Sequence, residues 1–278
     1  MTRLPILAAL AGLALAAPLT AQPVQPAGQS AGGLTYADLV GLAESAPLVV
    51  RAKIKDQAPL KAERAPGLAP GHVRLYIEAE TQALIAGNVP LGQSIAYLVD
   101  VPLTAKGKPP KLKKTEVLLF ARTVPGKPGS LQLVGTGAQQ PYDPALEARL
   151  RPVLTALVAA DAPPPVTRVA DALAVEGTLV GESETQLFLD TETEGPVSIT
   201  VVRRPNQPVR WGVSWTEIVD QSARPPRAET LEWYRLACSL PATLPGAANL
   251  SRDPRARALA ARDYAYVIEQ LGPCARTL

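Results

Sequence analysis

Histidine and cysteine are almost missing from this chain, with one of the first and two of the second among 278 residues. A lone His72 excludes a zinc site that needs two histidines, so no metal is expected. No dinucleotide fingerprint, no phosphate-binding loop and no C-x-x-C occurs, so no cofactor is expected either. Gly212-Val213-Ser214-Trp215-Thr216 falls one glycine short of a nucleophile elbow. Aromatic residues make up only 4%, and a net charge of +3 is too small to imply a nucleic-acid partner. Against these scarcities stand 29 prolines, which predict short elements joined by punctuated loops rather than long helices.

Residues 1–21 combine an early cation, Arg3, with an apolar stretch over 4–17 and a small-residue exit at Pro18-Leu19-Thr20-Ala21. This is the pattern of a secretory signal peptide cleaved after Ala21. The apolar stretch is shorter than the roughly 20 residues a membrane span needs, so no transmembrane helix is expected after cleavage. The address it predicts is periplasmic or secreted, in a bacterium. Residues 22–34, rich in Gln, Pro and Gly, read as a flexible tether. In an oxidising compartment Cys238 and Cys274 are expected to form a disulfide, the alternative being a pair of free or redox-active thiols.

From Thr35 the chain is patterned. Thr35 and Asp38 make a capping box before a short helix, and period-two alternation then recurs over 48–55, 73–79, 95–101, 117–121 and 131–134. Five short strands over 35–142 predict a small barrel or sandwich. Asp143-Pro144 opens a helix running to about residue 160, which Pro152 should kink or split, and a proline linker closes the 143–165 segment. Strand-like runs at 174–180, 185–190, 197–203 and 209–218 predict a four-stranded antiparallel meander over 166–225. Residues 226–278 read as two helices joined by a linker that must run back, so that the disulfide can bring the two helix ends together. The fold class is therefore α+β, mainly β: two small antiparallel modules joined by a helix, with a two-helix C-terminal tail.

The runs LVVRAKI, VRLYIEAETQALIAG and EVLLFAR give the first module a likeness to a known family. Residues 36–140 resemble the OB-type barrels of netrin-like and tissue-inhibitor-like modules in secreted bacterial proteins. The resemblance implies a binding or inhibitory module and carries no catalytic motif.

Few residues stand out as candidates. Lys106, Lys108, Lys111, Lys113 and Lys114 lie in one loop that could grip an anionic polymer, lipopolysaccharide or a phospholipid headgroup; the plainer reading is a solvated, mobile hairpin. Trp211 and Trp215 share one strand face and could stack on sugars, though rings in so aromatic-poor a chain belong more often to a core. Asp190, Glu192, Glu194 and Gly195 follow the opening of a calcium loop, but Val201 stands where the closing glutamate belongs. Glu78 and Glu80 share a strand face, His72 follows a Pro-Gly turn, and Asn249-Leu250-Ser251 matches a glycosylation acceptor. The expected role is non-catalytic binding or interaction with an envelope component or protein. The rival is an envelope hydrolase drawing carboxylates from both modules, and oligomeric state is left open.

Overall fold

The computed structural model describes residues 33–193, 195–216 and 223–278. The signal peptide expected over 1–21 and all but the last two residues of the tether lie outside these. Residues 34–278 form one compact unit.

Helix α1 (Tyr36–Ser45) starts at the capping box expected: Thr35 Oγ1 accepts from the Asp38 N–H, and the Asp38 carboxylate accepts from the Thr35 N–H. Strand β1 (Leu48–Pro59) then pairs with β2 (His72–Ala86) on one edge and with β4 (Glu116–Thr123) on the other. Three register shifts against β2 let so long a strand bend. Strand β3 (Ser94–Pro102) follows β2, and β5 (Ser130–Leu133) bridges β3 and β4. The circuit β1-β2-β3-β5-β4-β1 is a closed five-stranded barrel, antiparallel except for the short parallel contact Ala96↔Ser130 and Tyr97↔Leu131. Closure leaves no long unpaired edge. A three-residue strand, β6 (Gln139–Pro141), adds to the outside of β4 and was not anticipated from sequence.

Alternate side chains of the barrel strands, among them Val50, Ile54, Leu75, Ile77, Tyr97 and Leu119, fill its interior. The opposite faces of β1 and β4 are not wet. Val49, Leu118 and Phe120 point out of the barrel into a second core shared with α1, α2 and the other sheet. Residues 117–121, expected to alternate, are therefore buried on both faces, in keeping with their unbroken apolar run VLLFA.

Helix α2 (Pro144–Leu157) starts at Asp143, whose carboxylate accepts from the Ala145 N–H, and it runs through Pro152 as one helix instead of splitting. Pro152 and Ala148, whose carbonyl loses its helical donor, both face solvent, so water can satisfy the freed oxygen.

The second sheet is the antiparallel meander expected, with β7 (Val166–Glu176), β8 (Ser183–Thr191), β9 (Val197–Arg203) and β10 (Arg210–Ser214) in the order β10-β9-β8-β7. Its first strand lies earlier than the alternation over 174–180 predicts. Two register irregularities, at Val166/Arg168 and Val169/Asp171, erase the period of two across the true strand. Leu179 and Val180, which resemble strand residues, sit exposed in the following turn.

Helix α3 (Leu231–Ala237) ends at Cys238, and α4 (Pro254–Leu271), capped by Asp253, ends at Gly272. The linker between them runs back as required and bonds to β7, with the Ala172 N–H donating to Ala248 O at 2.7 Å and the Leu250 N–H to Ala172 O at 3.0 Å. The disulfide Cys238–Cys274 joins the two helix ends, their Cα atoms 5.0 Å apart. No helix among the described residues is long and apolar enough to cross a membrane.

Candidate binding trough on the barrel

Because β2 and β3 bury Val73, Leu75, Ile77 and Ile95, Tyr97, Val99, their other residues must face outward. Register sets them side by side: Arg74 opposite Asp100, and Tyr76 opposite Leu98. Tyr76 and Leu98 are both exposed, an aromatic and an aliphatic side chain presented together on a sheet face. Arg74 grips Asp100 through two bonds of 2.7 Å, from Nε and Nη2, a bidentate fork that fixes both groups. The Arg74 hydrogen bonds hold the Asp100 carboxyl below its ordinary value.

This face is the floor of an open trough of about 1650 Å³. One end is bounded by the 60–71 loop with Lys61 and Arg64, the other by the 124–129 loop with Lys127. Among the described residues Asp100 is the only acidic side chain lining it, and Arg74 already engages it. Beneath the floor Tyr97 donates from its hydroxyl to Gln139 Oε1 at 2.7 Å, and burial pushes its ionisation upward. At the margin Leu278 packs over Gly137, where a Cβ would lie 2.4 Å from Leu278 Cδ2. Gly137 also has φ +73, a left-handed backbone that favours glycine. A stackable ring, an aliphatic patch and a cationic rim are equipment for recognition.

Other candidates fall elsewhere. Trp211 is buried in the shared core, and Trp215 is half-buried against it with no hydrogen-bond partner for its indole N–H among the described residues, so the two do not form a stacking platform. The β10 face they share turns inward rather than to solvent. Ser214 is likewise buried. Glu78 is exposed, while Glu80 bonds Lys55 at 2.8 Å and Gln93 at 3.0 Å. Asp190 pairs with Arg168 at 2.5 Å, Glu192 is exposed, and Glu194 lies outside the described residues. Among the described residues no group of three potential ligands gathers for a metal. Asn249 is buried and its side-chain amide donates to Arg257 O at 3.0 Å, so the acceptor pattern Asn249-Leu250-Ser251 offers no free amide for glycosylation in the folded chain. His72 sits at the start of β2 against the trough, its Nδ1 3.1 Å from Pro70 O.

Lys106, Lys108, Lys111, Lys113 and Lys114 are all exposed on the 103–115 loop, and Lys113 pairs with Asp56 at 3.2 Å. Sequence reading missed the trough because its floor looks like the polar side of an ordinary strand. The signal was available in VRLYIEAE, where Tyr76 breaks a row of charges on the outward positions. Gly28-Gln29-Ser30-Ala31-Gly32 has the form G-x-S-x-G and lies outside the described residues.

No protein-family model matches the chain, and no curated protein matches it significantly.

Proposed function

We propose that this chain is a non-catalytic binding protein, exported to the periplasm or beyond with its signal removed after Ala21, and that the barrel trough holds its envelope ligand. The trough carries the reading: Tyr76 and Leu98 are exposed side by side on a floor fixed by the Arg74–Asp100 fork. The strand order and the parallel β3–β5 contact support the likeness to OB-type modules. In such barrels the second and third strands and the loops flanking them, here 60–71 and 124–129, form the usual ligand surface.

The test is capture from envelope extract with residues 22–278 as bait, run beside the Tyr76→Glu variant. Tyr76 is exposed, so the variant should fold. A component retained by the parent chain and lost from the variant supports the reading. Equal capture by both, or capture by neither, defeats it.

A further inference from the structure

We propose that the lysine-bearing end of the barrel is a docking surface for an acidic polysaccharide, whose chain continues from there into the trough. This rests on the trough being a binding site and names the chemistry of what it takes. The end of β1, the start of β2, the end of β3 and the start of β4 meet at one end of the barrel, so the 60–71 and 103–115 loops emerge together. The Leu103 N–H donates to Gly71 O at 2.8 Å and ties them side by side. Between them they hold Lys61, Arg64 and the five loop lysines against a single acid, Glu63. The whole chain nets only +3, so its remainder is net acidic and the positive charge is gathered here. Apart from Lys113, none of these cations has a carboxylate within ion-pair distance among the described residues.

The lysine loop is held in shape. Gln57 on β1 donates to Pro110 O at 2.8 Å and accepts from the Leu112 and Lys113 N–H groups at 2.5 and 3.2 Å. The Lys114 N–H donates to Ile54 O at 2.8 Å, and Lys114 itself has φ +73, a left-handed backbone that a lysine adopts only where its surroundings impose it. A loop whose backbone is held in shape loses less freedom on meeting an anion than a mobile one.

A polymer fits this surface better than a bilayer. The loop has no aromatic residue, and its two leucines, Leu103 and Leu112, are half-buried against the barrel core, leaving nothing to insert into lipid. From Gly71 the chain enters β2, and the outward row His72, Arg74, Tyr76 leads along the trough floor. Acid sugars repeat a carboxylate at each step and present flat faces, which suit the loop cations at the barrel end and the exposed Tyr76 ring on the floor beyond them.

Calorimetric titration with an oligogalacturonate tests this, with a neutral malto-oligosaccharide and phosphatidylglycerol vesicles as separate arms. The acidic oligomer should bind, and added salt should weaken it. The triple variant Lys106→Glu, Lys108→Glu, Lys111→Glu should bind it at least about tenfold more weakly, three exposed ion pairs of ordinary size. The bonds that tie Lys108 to Thr104 use only its backbone, which the substitution keeps, and circular dichroism should show the variant unchanged. Failure of the parent to bind the acidic oligomer, equal binding by the triple variant, or equally strong retention on vesicles overturns the proposal. If a neutral oligomer binds and only Tyr76→Ala loses it, the trough reading survives and this proposal fails; if neither variant alters binding of any arm, both fail.

Discussion

Asp38 shows how one buried acid can tie distant parts of a chain. It caps α1 through Thr35 and also accepts from the Thr277 N–H at 3.0 Å and the Thr277 hydroxyl at 2.6 Å, fastening the C-terminal segment to the first helix. Burial opposes its ionisation, but the bonds from Thr277 and Thr35 outweigh that and hold its carboxyl below the ordinary 3.8. A carboxyl depressed in the folded state adds stability above its unfolded value, and that stability is lost as pH falls through the folded value. Asp38→Asn should therefore lower unfolding free energy near neutrality by about 2 kcal/mol, as expected for hydrogen bonds to a charged group. Denaturant titrations at a series of pH values should show the parent losing an increment below pH 3.8 that the variant lacks. Parallel pH profiles for the two would show that the bonds carry no linkage. The Thr35–Asp38 half of this site was legible as a capping box; the Thr277 half was not, because no local pattern connects residues so far apart in the chain.

At the scale of elements, what could be read were the strands buried on one face and the helices with a side-chain cap. The barrel strands begin near their patterned limits and α4 keeps both of its own, since alternation and caps are local physics, but β1 and β2 run on to Pro59 and Ala86, past residues 55 and 79 where the alternation was read to stop. The reading slipped at β7, where two register irregularities break the period, and at Pro152, where exposure to water removes the reason to split the helix. The disulfide sits between these cases: its pairing followed from there being two cysteines, and its geometry from the need to bring two helix ends together. It closes a separation of 36 residues. On chain-entropy grounds such a closure is worth about 4 kcal/mol. Cys238→Ser with Cys274→Ser should lower stability by roughly 3–4 kcal/mol by that reasoning. It should also speed amide exchange at Thr277, whose N–H bond to Asp38 of α1 depends on the tail staying close. A loss below about 1 kcal/mol would place the native strain of the bridge near its entropic benefit.

For the whole molecule, the decisive contact is one that a two-module reading of the sequence does not contain. Phe120 leaves the barrel wall and joins Val49, Leu118, Leu150, Leu187 and Ile199 in one core, so β4 serves the interior of the barrel with one face and the second sheet with the other. Two sheets that share a core should unfold together, because separating them exposes apolar surface that neither can cover alone. The three tryptophans, Trp211, Trp215 and Trp233, all report on the second half of the chain, while amide exchange along β2 and β3 reports on the barrel. Denaturant unfolding followed by both probes should give coincident midpoints. Phe120→Ala should shift both by the same amount, about 3–5 kcal/mol in free energy for a large ring removed from a packed core. Two separated transitions, or a Phe120→Ala effect confined to one probe, would mean that the barrel and the meander are independent bodies and that the shared core contributes little to holding them together.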